Sequence, residues 1–211
     1  NSDVSVPQAE KTKTSHQSSI TTSKHDYLLP KLPLRLFKPN DNMLIAFDTR
    51  TKNPAFVLER ICTQQEVAGS DEKTVPSRKN KRFFEEKTLP AHHRSRNQHY
   101  RNSGYDRGHL APAADFKKSD KEVHDSFTLS NVSPQIPMFN RSVWLRVEEF
   151  VRRVAQDEQA KDDDEVETWV MTGPLWLPVG KNKHLYRYSY EAIGYPPSLV
   201  HVPTHFFKVV V

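Results

Sequence analysis

RNSGYDRGHLAPAADF (Arg101–Phe116), FTLSNVSPQ (Phe127–Gln135) and MFNRSVWLRVEEF (Met138–Phe150) decide how this sequence folds. Within them, polar residues stand among strand-like and helix-like apolar ones: His109, Asn131, Asn140 and Glu148. A buried or half-buried polar group needs a hydrogen-bonding partner, so a row of them reads as a site. The third stretch carries the clearest periodicity in the chain. Val143, Trp144, Val147, Val151 and Val154 recur along one face at the 3.6-residue period, which predicts a helix from Asn140 to about Gln156.

Charge around these stretches points to a polyanion. From Arg78 to Arg107 nine Lys or Arg stand against three acids, a local +6 in a chain whose formal net charge is +5. With a pI near 9.2, the composition favours a nucleic-acid partner, although charge says nothing about fold. The single cysteine, Cys62, excludes an internal disulfide framework and reads as a small buried apolar residue. No apolar run approaches about 20 residues, so no membrane-spanning helix is expected. The acidic run KDDDE (Lys161–Glu165) reads as a solvated turn, not as a metal site.

The remaining segments set the domain plan. Residues 1–26 are rich in Ser, Thr, Lys and Gln, and are expected to be a disordered polar tail ahead of one domain over residues 27–211. YLLPKLPLRLF from Tyr27 reads as an extended lead-in. NMLIAFDTRTKNPAFVLERI (Asn42–Ile61) reads as two strands around a turn. A short helix from Ser119 or Asp120 should run toward a strand at Phe127–Leu129. After the long helix, VETWVMTG reads as a core strand, PLWLP as a rigid corner, HLYRYSYEAIGY as one alternating strand and HFFKVVV as another. Strands group before and after the helices instead of alternating with them, so the class is α+β.

Cutting a phosphodiester needs a base for water, a cation for the developing charge and help for the leaving oxygen. His109 is the one histidine lying between a glycine and an apolar run, flanked by Asp106 and Arg107; it is either a base or a structural histidine. Asn140 is either the N-cap of the long helix or an oxygen ligand for a hard cation such as Mg²⁺. Glu148, just over two turns on, could hold that ion's water shell or simply be solvated.

DRGH, SNxxPQ and NxxxWxxxE together resemble the DNA/RNA non-specific endonucleases of the ββα-metal type, most closely their mitochondrial, endonuclease G-like branch. The wider match, through NPAFVLE, FNRSVW, TGPLWLP and VPTHFFKV, covers about residues 42–210. The resemblance implies an antiparallel sheet core with a ββα metal finger. It makes His109 the general base that activates water and Asn140 the direct protein ligand of the metal. Glu148 and Asp106 would hold the metal's waters, and Asn131 would orient the site. Arg107, and with a looser match Arg82, would stabilise the pentacovalent phosphate. The ion would be Mg²⁺, with Mn²⁺ as an alternative, and the products would carry 5′-phosphates. Arg94, Arg96, Tyr100 and Arg101 are expected to hold a nucleic-acid backbone without reading bases.

The resemblance further implies a homodimer and a mitochondrial location, in the intermembrane space or at the inner membrane, with release to the nucleus. No targeting peptide is expected in this sequence, which opens at Asn1. Such domains continue beyond VPTHFFKV, so the C-terminal part of the domain is expected to be missing. Asn131-Val-Ser133 and Asn140-Arg-Ser142 both match the N-glycosylation pattern. A glycan on Asn140 would remove the expected ligand, which favours an organellar or intracellular setting. Two competing readings stand beside the nuclease: a decayed nucleic-acid-binding module of the same fold, and a secreted nutritional nuclease.

Overall fold

Met43, Ile45 and Phe47 alternate along one strand and are almost wholly buried, which fixes the side of the sheet on which the core is built. The protein is described by a computed structural model covering residues 34–62, 64–69, 76–160, 167–182 and 184–211. The expected tail, the lead-in before Leu34 and the acidic run at 161–165 lie outside the described residues.

The chain opens with three strands, β1 (Leu34–Asn40), β2 (Met43–Asp48) and β3 (Asn53–Ile61), and a short helix α1 (Gln64–Ala68). The expected pair of strands around a turn is therefore present, and LRLFKPN adds a third. Next come a one-turn helix α2 (Asn97–Tyr100), β4 (Asp106–His109), α3 (Asp120–Ser126), a 3₁₀ turn (Leu129–Asn131) and β5 (Val132–Gln135). The long helix follows as a π-helical segment (Phe139–Trp144) continuing into α4 (Leu145–Gln159). The remainder is strand: β6 (Thr168–Leu175), β7 (Val179–Asn182), β8 (Leu185–Arg187), β9 (Ala192–Tyr195), β10 (Ser198–His201) and β11 (His205–Val210).

The main sheet is antiparallel throughout, in the order β1-β2-β3-β6-β11. On β3, Val57, Glu59 and Ile61 are buried, while Leu58 and Arg60 between them are only half-buried. One half of that buried face meets Leu110, Ala111, Ala113, Phe116, Val123 and Phe127. Its other half meets α4, through Val151 and Ala155 against Ile61 and Val170. A smaller core of Tyr100, Leu129, Val132, Ile193, Val200 and Val202 supports the β4–β5 hairpin from below.

Several expectations need correction. The helical stripe is Trp144, Val147, Val151 and Ala155, with Val143 exposed, because adjacent helix residues point about 100° apart and Val143 falls on the flank. The strand expected at Phe127–Leu129 is a bridge from Thr128 to Phe84 followed by the 3₁₀ turn, and the ladder starts only at Val132. HLYRYSYEAIGY is two strands, since β8 pairs with β7 and β9 with β10. Alternation shows that a segment can be a strand without naming its partner. PLWLP is a corner only in its second part, because β6 runs on through Pro174 and Leu175 and the connection to β7 is left to residues 176–178. The shorter helix begins where expected: Ser119 caps α3 by accepting from the Glu122 N–H at 3.1 Å.

Candidate active site

The β4–β5 hairpin and the following helix make a ββα unit, and the functional side chains sit on its three parts. In the hairpin Asp106 faces Gln135, Arg107 faces Pro134, Gly108 faces Ser133 and His109 faces Val132. Gly108 is required for packing: a Cβ there would come within 2.1 Å of the Gln135 side chain, which is itself buried. The glycine thus admits a neighbouring side chain.

His109 packs against the rings of Phe83 and Phe127, each with its centroid 4.9 Å away, and its Nε2 is buried without a hydrogen-bond partner. Burial, with a smaller contribution from the Arg78 charge, pushes its pKa down to about 3. The imidazole is therefore neutral at physiological pH, the form that accepts a proton.

Asn140 lies one turn inside the helix, not at its cap, for its N–H already donates to Ile136 C=O at 2.9 Å. Its side-chain amide donates to Asp106 Oδ2 at 2.9 Å. Arg141 grips the same carboxylate with two hydrogen bonds of 2.8 and 2.7 Å. These contacts, Arg141 first, hold Asp106 below the usual carboxylate range. With the amide nitrogen engaged, the Asn140 carbonyl oxygen is left to accept. Glu148 is half-buried, and burial raises its pKa to about 7 against the pull of Lys208.

An open cleft of about 540 Å³ brings together Asp106, Arg107, His109, Asn140 and Glu148, along with Arg78, Arg141 and Arg152. Among the described residues no group of three or more His, Cys, Asp or Glu makes a metal cage. One amide oxygen with two carboxylates nearby, all oxygen donors, suits a hard cation that keeps most of its waters.

Asn131 belongs to the site without lining the cleft. It is fully buried; its amide donates to Ala111 C=O and Ser126 C=O, both at 2.9 Å, and accepts from Ala111 N–H at 3.0 Å. It fixes the turn after His109, and both of its N–H donors are spent on backbone carbonyls.

Three of the residues expected to hold a nucleic acid are engaged within the protein. Arg94 and Arg96 both turn inward to Glu85, at 3.1 and 3.6 Å. Tyr100 is only 5% exposed, its hydroxyl shared with Ser95, and it lies 6.0 Å beneath the Arg107 guanidinium. Tyr100 thus underlies Arg107, which also rests on Phe83 and donates to Asn97 Oδ1 at 3.2 Å. Arg101 is exposed, and Arg82 is exposed outside the cleft. Sequence reasoning missed Arg78 and Arg152. Arg78 sits in the basic window that had been singled out, and Arg152 lies one helical turn beyond Glu148, so that spacing could have shown it.

Comparison with known proteins agrees with this geometry. The family model for DNA/RNA non-specific endonucleases matches residues 35–211. The mitochondrial nuclease of Saccharomyces cerevisiae is 38% identical over 183 residues, 85% of this chain and 51% of that protein. The mitochondrial endonuclease G of Homo sapiens is 35% identical over 178 residues, 84% of this chain and 55% of that protein. The chain spans about half the length of the curated relatives it matches. A solved structure of an EndoG/EndoGI inhibition complex superposes with a TM-score of 0.70 at 34% identity, over 83% of this chain and 66% of that one. The sheet, the ββα unit and these matches agree: the chain belongs to the DNA/RNA non-specific endonuclease family.

Proposed function

We propose that the protein is a metal-dependent nuclease that hydrolyses phosphodiester bonds in both DNA and RNA without reading bases. The observation that carries the reading is the cleft itself, where a neutral imidazole, a free amide oxygen and a ring of arginines converge. His109 accepts the proton of the attacking water as its oxygen closes on phosphorus and the bond to the 3′ oxygen breaks, leaving a 5′-phosphate. Arg78, Arg107 and Arg152 offset the negative charge that builds on the phosphoryl oxygens. Asn140 would hold a Mg²⁺ ion, or Mn²⁺ in its place, through its carbonyl oxygen, with Glu148 and Asp106 holding the ion's waters. That ion would act as the Lewis acid at the leaving 3′ oxygen.

The names of the relatives support a mitochondrial setting; the intermembrane space or inner membrane, with release to the nucleus, is carried over from the family resemblance. We carry the homodimer over from the family resemblance. No helix among the described residues is long and apolar enough to cross a membrane.

The test is plasmid nicking and RNA degradation in Mg²⁺ by the protein and by His109→Ala, each with and without EDTA. Cutting lost in the variant and in EDTA, with binding retained, is the expected result. Binding without chelator-sensitive cutting would replace this reading with the decayed binding module.

A further inference from the structure

Beneath the cleft lies a buried lysine that the chemistry above does not use. Lys208, on β11, has its side chain 4% exposed, yet it spends all three ammonium protons. They go to Thr172 Oγ1 at 2.7 Å, Leu110 C=O at 3.1 Å and Glu59 Oε1 at 3.4 Å. The same ammonium lies 5.6 Å from the centre of the Trp144 ring. One atom thus joins the central sheet at Thr172 and Glu59, the peptide following His109, and the helix that carries Asn140 and Glu148.

We propose that Lys208 is a positioning residue of this site, its ammonium group fixing the Leu110 carbonyl and so the backbone that presents His109 to Asn140 and Glu148. The proposal rests on the nuclease reading above and names a residue that reading leaves out. Leu110 is held from both sides, since its N–H donates to Asn131 C=O at 3.0 Å while Lys208 holds its C=O. Asn131 ties this peptide to the hairpin and to the end of α3. Lys208 ties it to the sheet and the helix, so the two halves of the site share one anchor.

A purely structural role would not require this chemistry. A buried ion pair is often replaced by apolar residues at no loss of stability. A carbonyl next to the base, however, can be held in place only by a donor. The site also tolerates a cost elsewhere to keep the lysine: Glu59 is fully buried with its Oε2 unpartnered, and burial raises its carboxyl well above its usual range against the opposing Lys208 charge.

The experiment compares the protein with Lys208→Met/Glu59→Gln, which leaves no unpaired buried charge, and with Lys208→Arg, which keeps the charge but not the three-point reach. Thermal unfolding selects the variants that fold. In these, kcat should fall about 100-fold, because a reacting group has moved by a fraction of its contact distance. KM should stay within about twofold, because the cleft arginines are untouched. The ring signals of His109 in ¹⁵N-histidine spectra, assigned with His109→Gln, should shift. Wild-type kcat in either folded variant would overturn the proposal. If the unmodified protein never cuts, the nuclease reading fails on its own terms. The His109 signals then decide: a shift supports the positioning role, and unmoved signals overturn it.

Discussion

Asn140 and Asp106 are joined across the ββα unit by a 2.9 Å hydrogen bond, from the helix to the first strand of the hairpin. That bond fixes which end of the amide faces the cleft. Removing the carboxylate frees the amide to rotate, so Asp106→Ala should weaken Mn²⁺ binding by about 10- to 100-fold, as loss of a group orienting a ligand typically does. Asn140→Ala should abolish the binding. Calorimetric titration of the metal checks both, and unchanged affinity in Asn140→Ala would remove it as the ligand.

Cleavage should lose its acid limb to Glu148 and not to His109. Burial raises the Glu148 pKa to about 7, whereas His109 is driven down to about 3 and stays neutral across the working range. The rate should therefore rise with pH through about 7 as Glu148 ionises, and added Mg²⁺ should shift that limb lower by favouring the carboxylate. Glu148→Gln should be slow and flat through this window. A wild-type limb that survives the substitution would contradict the assignment.

The same two groups act oppositely on stability. For His109 the folded pKa lies below its unfolded value, so the unfolded chain binds more protons below about 6.5 and stability falls as pH drops from there toward 3. For Glu148 the folded pKa lies above its unfolded value, so its contribution to stability is lost as pH rises through about 7. His109→Gln should flatten the acid side of the stability curve. Denaturant unfolding between pH 4 and 8, roughly the window in which both shifts act, measures it.

Asn131→Ala should cost roughly 3 kcal/mol, because it strands two buried carbonyls and one buried N–H. Activity should fall with it. Arg94→Ala should likewise act through the fold, exposing Glu85, and should leave the salt dependence of binding unchanged. Arg78→Ala should reduce the slope of log affinity against log salt by about one if that guanidinium contacts a phosphate; Arg152→Ala should in addition destabilise the fold, because Arg152 is the ion-pair partner of the buried Asp115. Binding measured from low to high salt separates the two classes.

What could be read from the sequence, and what could not, follows from the range of the interactions. The long helix was legible from its period, and the ββα order through the resemblance carried by DRGH, SNxxPQ and NxxxWxxxE, whose residues His109, Asn140 and Glu148 line one cleft. Asn131 was legible as a polar residue in need of partners, but Ala111, which takes two of its three hydrogen bonds, lies 20 residues away and is brought to it only by tertiary packing. Arg94, Arg96 and Arg101 look alike in a basic string. Glu85 is what turns the first two inward, nine and eleven residues away along an irregular segment. Lys208 lies 98 residues from Leu110, and no local pattern announces a contact of that span.

The π-helical segment at Phe139–Trp144 acts as a phase adjustment. In an unbroken α-helix, residues eight apart point about 80° away from each other, so Asn140 and Glu148 would diverge. A π turn takes up an extra residue and unwinds part of that divergence, bringing the two side chains nearer to one line over the cleft. The distance between the Asn140 amide and the Glu148 carboxyl is thus set by the pitch of the backbone and not by side-chain length. Substitutions that straighten Phe139–Trp144 into an α-helix of the same length should leave a better helix and a worse site. Such a sequence would gain local regularity while its two oxygen groups rotated out of register.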